Sequence, residues 1–273
     1  MSISISITKN FNLKKTLECG QCFRWSYEHP KWVGIVFDFK AYLYVKNENL
    51  IIESDNENID FWKNYFDLNL DYFIFDKEII KLDPLFENIY REGKGIRILR
   101  QDPWEVLCSF IISQNNNIPR IKLIIKKLCE NFGNKIKDYF SFPSPKILSQ
   151  LTEDDLSVIR SGFRAKYLID AAKKVYKKQV DLEKIFFLNF TQAHFLLRTI
   201  SGVGPKVSNC VLLYGFHKLE AFPNDVWVQK AIKEFFPHKT SQSFGKYAGI
   251  AQIYLYYWIR KKHILDLSEN KKT

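Results

Sequence analysis

In the run Leu196-Leu197-Arg198-Thr199-Ile200-Ser201-Gly202-Val203-Gly204-Pro205-Lys206-Val207, two glycines flank one apolar residue and a proline follows. Gly202 and Gly204 permit a tight turn with positive φ, and Pro205 fits the first position of a new helix, where its missing N–H is no loss. The free N–H groups of such a helix start, together with its dipole, suit a phosphate oxygen, and the glycines on either side of Val203 let a nucleic-acid backbone come close. From the turn alone, an ordinary helix-turn-helix corner is an equally good reading. Lys206 stands at the second helical position, where the dipole disfavours an ammonium, and a neutral lysine amine is a nucleophile. A solvated surface cation is the alternative. Cys210 lies four residues on, on the same helical face, so the two can line one pocket. In Phe222-Pro223-Asn224-Asp225-Val226-Trp227, Asp225 follows Lys206 by nineteen residues. It occupies an N-cap position, and a carboxylate near the lysine would also stabilise cationic sugar character and help shuttle protons. The two roles are compatible.

These groups need elements to hold them. The first third of the chain is rich in aromatic and β-branched residues with period-two stretches, such as Ser2 to Ile7 and Ile35 to Val45, which predicts an antiparallel sheet. From about Asp83 the pattern turns helical. Asp102-Pro103 opens a helix running towards Ser113, and further helices are expected at Ile118 to Phe132, Arg164 to Lys178, Gln192 to Ile200, Pro205 to Phe216, Asp225 to Phe236 and Phe244 to Lys262. The fold class is therefore α+β: an N-terminal antiparallel β domain with some helix over 1–82, then a helical domain over 83–273 that carries the hairpin. No internal repeat or low-complexity tract interrupts it.

The 273 residues carry 41 Lys plus Arg against 30 Asp plus Glu, a formal charge of +11. Residues 51–80 hold eight acids against two bases, a net of −6, so the other 243 carry +17. A field of that sign points to a polyanion, nucleic acid before anionic membrane. Met1 to Asn10 has no basic-then-apolar signal pattern, and the uncharged run Tyr247 to Ile259 has only 13 residues, short of a membrane span, so a cytoplasmic chain is expected. Five cysteines do not make a disulfide framework. Cys19 and Cys22 form a C-x-x-C, but no second pair stands at zinc spacing and no compact run of four thiolates offers an iron-sulfur site, so neither metal nor cofactor is expected.

Four separated motifs then stand in one order: Cys19-Gly20-Gln21-Cys22-Phe23-Arg24-Trp25, Gln114-Asn115-Asn116-Asn117-Ile118-Pro119-Arg120, Gly162-Phe163-Arg164-Ala165-Lys166-Tyr167 and Ala251-Gln252. With the hairpin lysine and the Pro-x-Asp segment, they resemble the helix-hairpin-helix glycosylases of base-excision repair, and within them the 8-oxoguanine DNA glycosylases of eukaryotic and clostridial type, over about residues 13 to 260. The resemblance implies a bifunctional glycosylase and AP lyase that flips 8-oxoguanine out of duplex DNA, opposite cytosine, and acts as a monomer. By that resemblance Lys206 is the nucleophile at C1′, forming a Schiff base that permits β-elimination, and Asp225 assists it. Gly20 offers the carbonyl that reads the N7–H of the lesion, a hydrogen guanine lacks, so that the normal base leaves a buried carbonyl unpaired. Gln252 and Tyr256, four apart on one helical face, correspond to the base-edge amide and the stacking aromatic, with Cys210 across the ring; core or interface residues are the plainer reading of the pair.

Asn115 corresponds to the group filling the space of the flipped base, and Arg120 and Arg164 to contacts with the estranged cytosine. Phe163 stands at the wedge position, which in the family is usually Tyr. Gly202, Val203 and Gly204 correspond to the backbone-binding hairpin. The chain departs from the animal enzymes at Trp227, where they carry a phosphate-contacting His, and at Ile259, where its acidic partner would be. Two rival readings remain: a monofunctional alkylbase glycosylase using Asp225 and water, which Lys206 and Gly20 oppose, and a non-catalytic DNA-binding hairpin module. On the primary reading the acidic 51–80 stretch should face away from DNA.

Overall fold

The structure, a computed structural model, describes residues 2–7 and 10–269. Strands β1 (Ser2–Ser6), β2 (Trp25–Glu28), β3 (Lys31–Val36), β4 (Phe39–Lys46) and β5 (Asn49–Ser54) form one antiparallel sheet in the order β1-β5-β4-β3-β2. Alternation decides its faces: Leu43 and Ile52 sit opposite each other and both point into the core with Trp32 and Leu50. The single period-two stretch Ile35 to Val45 is in fact a hairpin, because Phe37 takes a positive φ of 52° and turns the chain between β3 and β4.

Four short helices interleave with and follow the sheet: α1 (Leu13–Glu18), α2 (Ile59–Tyr65), α3 (Tyr72–Ile80) and α4 (Phe86–Gly93). Asn12, Asn58 and Asp71 cap the first three with side-chain hydrogen bonds. Beyond them come α5 (Pro103–Ile112), α6 (Ile118–Phe132), a small hairpin β6 (Lys135–Ile136) and β7 (Tyr139–Phe140), α7 (Pro145–Ser149), α8 (Ala165–Tyr176), α9 (Leu182–Ile185), α10 (Phe190–Leu197), α11 (Pro205–Tyr214), α12 (Val226–Phe235) and α13 (Ala248–Glu269). The predicted starts hold where a cap specifies them: Asp102 bonds to the Trp104 N–H, Asn117 to that of Arg120, and Asp225 to those of Trp227 and Val228. The last predicted helix is broken: Gly245, with a φ of 66°, kinks a 3₁₀ segment over Ser241–Tyr247, and α13 starts only at Ala248. None of the described helices is long and apolar enough to cross a membrane.

Two apolar clusters result. The smaller lies between the sheet and α2 around Trp25, Trp62 and Phe66; the larger runs through the helices and already includes Tyr72 and Phe75 of α3. Cys19 belongs to the larger cluster and Cys22 to the smaller, so the segment between them is the seam of the molecule.

One buried acid makes the helical packing pH-sensitive. Burial pushes the Asp76 carboxyl up to about 6, against the Tyr254 hydroxyl that donates to it at 3.0 Å and the charges of Arg97 and Lys94. In an unfolded chain the group ionises near 4, so stability is full below that pH and is lost as pH rises through about 6. Asp76→Asn keeps an acceptor for Tyr254 and removes the titration. Its unfolding free energy at pH 7 should exceed wild type's by about 1–2 kcal/mol, and the advantage should vanish near pH 4; denaturant titrations at the two pH values check this.

Candidate active site

The hairpin between α10 and α11 takes its shape from one glycine, not two. Gly202 has a φ of 77°, and a Cβ there would lie 2.4 Å from the Tyr167 ring. Gly204 has φ −83° and ψ −176°, ordinary extended backbone, with nothing within 4 Å of where a Cβ would stand. The tight turn that the glycine pair permits is made by Gly202, and Gly204 leaves open space beside the start of α11. Val203 between them is buried, so only its backbone is available to a partner. No side chain caps α11, which leaves its first N–H groups for an anion.

Lys206 points from that helix start into a cleft of about 650 Å³. The same cleft is lined by Gly20, Asn115, Gly204, Cys210, Asp225, Trp227, Gln252 and Tyr256, brought from six separate elements or turns. A second cleft of about 480 Å³, between β3, β4 and α6, contains none of the candidate site residues, although Phe23 and Arg24 of the first motif line it. None of the eight acids of residues 51–80 lines the Lys206 cleft. Several meet bases from other parts of the chain instead, Glu53 with Lys31, Asp55 with Lys137 and Asp67 with Arg100.

The Lys206 amine lies 3.5 Å from Ser113 Oγ and 5.4 Å from the centre of the Phe110 ring. Ser113 donates its hydroxyl proton to the Phe110 carbonyl at 2.8 Å, so a lone pair is left to face the amine. Asp225 caps α12 through Oδ1 alone, which accepts from the N–H groups of Trp227 (3.0 Å) and Val228 (2.9 Å). Its second oxygen has no partner among the described residues, so the cap and a free carboxylate oxygen coexist. Burial pushes this carboxyl up, opposed by the Val228 N–H and the charge of Lys206. Burial likewise pushes the Cys210 thiol up to about 11, with Lys206 opposing, and the Tyr256 phenol up to about 12, with Arg260 opposing.

Gly20 has a φ of 87°, and a Cβ there would sit 3.3 Å from the Tyr256 ring. No donor of the described residues reaches its carbonyl. Gln21 beside it is buried and fully bonded: its amide donates to Thr16 and Arg97 carbonyls and its oxygen accepts from the Leu99 N–H. Gln252 is 2% exposed and accepts from the Tyr214 hydroxyl at 3.4 Å. Gly20→Ala therefore strains the turn and narrows the gap to Tyr256. On the activity that the family resemblance implies, base excision should fall at least about tenfold, on the order of 1.4 kcal/mol, while cleavage of a preformed abasic site in the same duplex should fall less; single-turnover rates on both substrates measure the difference.

Of the other DNA-facing candidates, Asn115 belongs to the cleft lining, while Arg120, Phe163 and Arg164 lie outside it. Asn115 is exposed on its turn with a φ of 47°. Arg164 is 3% exposed and clamps that turn, donating to the carbonyls of Gln114, Asn115 (2.9 Å) and Ser161 (2.9 Å). Arg120 is exposed, and burial plus its charge lower the Arg164 guanidinium, so two cations share this face. Phe163 is 49% exposed, packed edge-on to Tyr167 and covered by the Arg164 guanidinium at 4.4 Å. Trp227 packs against His263 at 4.8 Å, and Ile259 is buried. Among the described residues no cluster of His, Cys, Asp or Glu could hold a metal ion.

Sequence reasoning missed Ser113, Phe110, Gln21 and Tyr214. Each acts across a long stretch of sequence, so no local spacing announces it; only the position of Ser113 just before the Asn run and of Gln21 inside the C-x-x-C gave a signal.

Comparison with known proteins agrees with this layout. Residues 3–107 match the family described as 8-oxoguanine DNA glycosylase, N-terminal domain, and residues 108–248 the HhH-GPD superfamily base excision DNA repair proteins. An 8-oxoguanine glycosylase/lyase of Clostridium acetobutylicum, solved with double-stranded DNA containing cytosine opposite 8-oxoguanine, superposes with a TM-score of 0.88 at 37% identity, covering 96% of this chain and 98% of that one. An N-glycosylase/DNA lyase of Saccharomyces cerevisiae is 33% identical over 258 residues, 81% of this chain and 67% of that protein. A DNA-3-methyladenine glycosylase of Bacillus subtilis is 30% identical over 207 residues, 69% of this chain and 68% of the relative. The chain spans about two thirds of the length of the yeast relative and of an archaeal one, and nearly all of the clostridial structure.

Proposed function

The chain belongs to the 8-oxoguanine DNA glycosylase family within the HhH-GPD superfamily, and on that premise we propose that it excises 8-oxoguanine from duplex DNA and then cuts the strand as an AP lyase. The observation that carries this reading is the meeting of Lys206, a carboxylate oxygen of Asp225 free of the cap, and the Gly20–Tyr256 gap in one cleft. The flipped nucleotide enters that cleft, its base between Cys210 and Tyr256 with Gln252 and the Gly20 carbonyl at its edges. A base with an N7–H satisfies the carbonyl; guanine leaves it unpaired and desolvated, a cost of about 1–3 kcal/mol.

The Lys206 amine attacks C1′, the bond from C1′ to the base nitrogen breaks, and the base leaves with its electron pair. Asp225 stabilises the cationic sugar as this happens. Ring opening gives the Schiff base; loss of the C2′ proton then expels the 3′ phosphate by β-elimination. Asn115, held by the Arg164 clamp, occupies the vacated place in the stack, Phe163 wedges beside it and Arg120 faces the opposite base. The unpaired N–H groups of α11 and the open side of Gly204 receive a backbone phosphate. Trp227 replaces a hydrogen-bonding contact with a stacking one.

A panel of duplexes with 8-oxoguanine opposite each of the four bases, read with and without alkali, tests this. Cleavage without alkali, strongest opposite cytosine, is expected. The similarity to the Bacillus subtilis glycosylase keeps one rival in view: release of methylated adenine without strand scission would establish the monofunctional reading instead.

A further inference from the structure

Gly20 and Lys206 reach the cleft from different halves of the fold, and one chain of buried and half-buried hydrogen bonds runs between the elements that carry them. Gln21 donates to the Arg97 carbonyl at 2.7 Å and accepts from the Leu99 N–H at 2.9 Å, while Gln101 donates to the Gln21 carbonyl at 2.9 Å. The same extended segment is tied to Asp67: Arg100 pairs with its carboxylate at 3.0 Å, and the Tyr72 hydroxyl donates to that carboxylate at 2.9 Å while accepting from the Ile98 N–H at 2.9 Å. The Asp67 carboxylate, 2% exposed, finally accepts from His217 Nε2 at 3.0 Å. His217 lies just past the end of α11, the helix that starts with Lys206.

Asp67 and His217 also have positive φ values of 52° and 53°, the left-handed region that is uncommon for non-glycine residues and that Asp and His enter more readily than most. Burial disfavours the Asp67 carboxylate, but the His217 hydrogen bond and the charges of His217 and Arg100 hold it below the usual carboxylate range. Both turns are thus pinned to each other by one hydrogen bond to the Asp67 carboxylate.

We propose that Asp67 and His217 are a positioning pair that fixes α11, and with it the Lys206 amine, at working distance from the Gly20 turn. The inference rests on the functional reading above. Excising a base requires the reader and the nucleophile in register; cleaving a preformed abasic site requires the nucleophile alone, since no base is present to meet Gly20. Misplacement of reacting groups by about 1 Å costs on the order of 10²-fold in rate.

The test uses the full chain with His217→Leu, which removes the donor, and His217→Gln, which supplies an amide donor in its place. Single-turnover excision of 8-oxoguanine and cleavage of an abasic site in the same duplex are measured below the melting transition of each protein, with Kd for the lesion duplex. His217→Leu should slow excision ten- to a hundredfold, leave abasic-site cleavage and Kd within about twofold, and be largely rescued in His217→Gln. Parallel loss of both activities, unchanged excision, or a Gln variant as slow as the Leu variant overturns the pair. Wild-type protein inactive on both duplexes overturns the functional reading, and the inference falls with it.

Discussion

Lys206→Gln should leave a protein that binds lesion DNA, releases almost no base and forms no borohydride-trappable complex. The amine lies in the cleft, held by Ser113 and the Phe110 ring, and among the described residues no other lysine lines that cleft. Glutamine preserves length and polarity but has no nucleophilic nitrogen. Excision and strand scission should each fall by at least about 10³-fold, roughly 4 kcal/mol of barrier. The fold should not suffer, because an ammonium at the second position of α11 opposes the helix dipole and its removal is neutral or slightly stabilising. Gel analysis after borohydride treatment, beside a binding titration on the same duplex, separates these outcomes. Trapping that survives the substitution would remove Lys206 from its role.

Asp225→Asn should give the second largest loss, and for a reason that spares the fold. Asparagine caps helices as well as aspartate, so the bonds to Trp227 and Val228 persist through its oxygen while the charge disappears. Excision should drop about 10²- to 10³-fold, the range for a positioned carboxylate acting electrostatically or as a proton shuttle. Asp225→Ala should lose similar activity and about 1 kcal/mol of stability besides. Burial pushes this carboxyl above its ordinary value, and the reaction needs it ionised. Wild-type activity should therefore fall as pH drops through that raised value, above the range of an exposed carboxylate, and this acid limb should be absent from Asp225→Asn. Stability runs the other way. A raised carboxyl contributes most below the unfolded pKa and loses stability as pH rises through the folded one, so Asp225→Asn should be no less stable than wild type at pH 7.

What the sequence revealed follows from how locally each feature is encoded. Helix starts at Pro103, Ile118 and Val226 were legible because their caps are neighbours in the chain, and that at Pro205 because proline fits the first helical position. Lys206, Cys210 and Asp225 could be joined by spacing and chemistry, whereas Gly20, Asn115, Phe163 and Arg164 gained roles only from the family resemblance. The turn at Phe37 was hidden because its flanks keep strand-like alternation through the reversal. Least legible were the long-range ties: Ser113 meets Lys206 across 93 positions and His217 meets Asp67 across 150, distances over which no periodicity carries information.

The seam between the two cores has a chemical consequence. All five free cysteines are buried, and burial pushes Cys19 to about 12, Cys129 to about 12 and Cys210 to about 11, with Cys22 and Cys108 raised as well. Thiolate is the form oxidants attack, and a thiol ionising near 11 is deprotonated to only about one part in 10⁴ at pH 7. Cys19 and Cys22, a redox pair by spacing, are packed into separate cores. Burial thus keeps these thiols protonated, the form that reacts slowly with the oxidants that turn guanine into 8-oxoguanine.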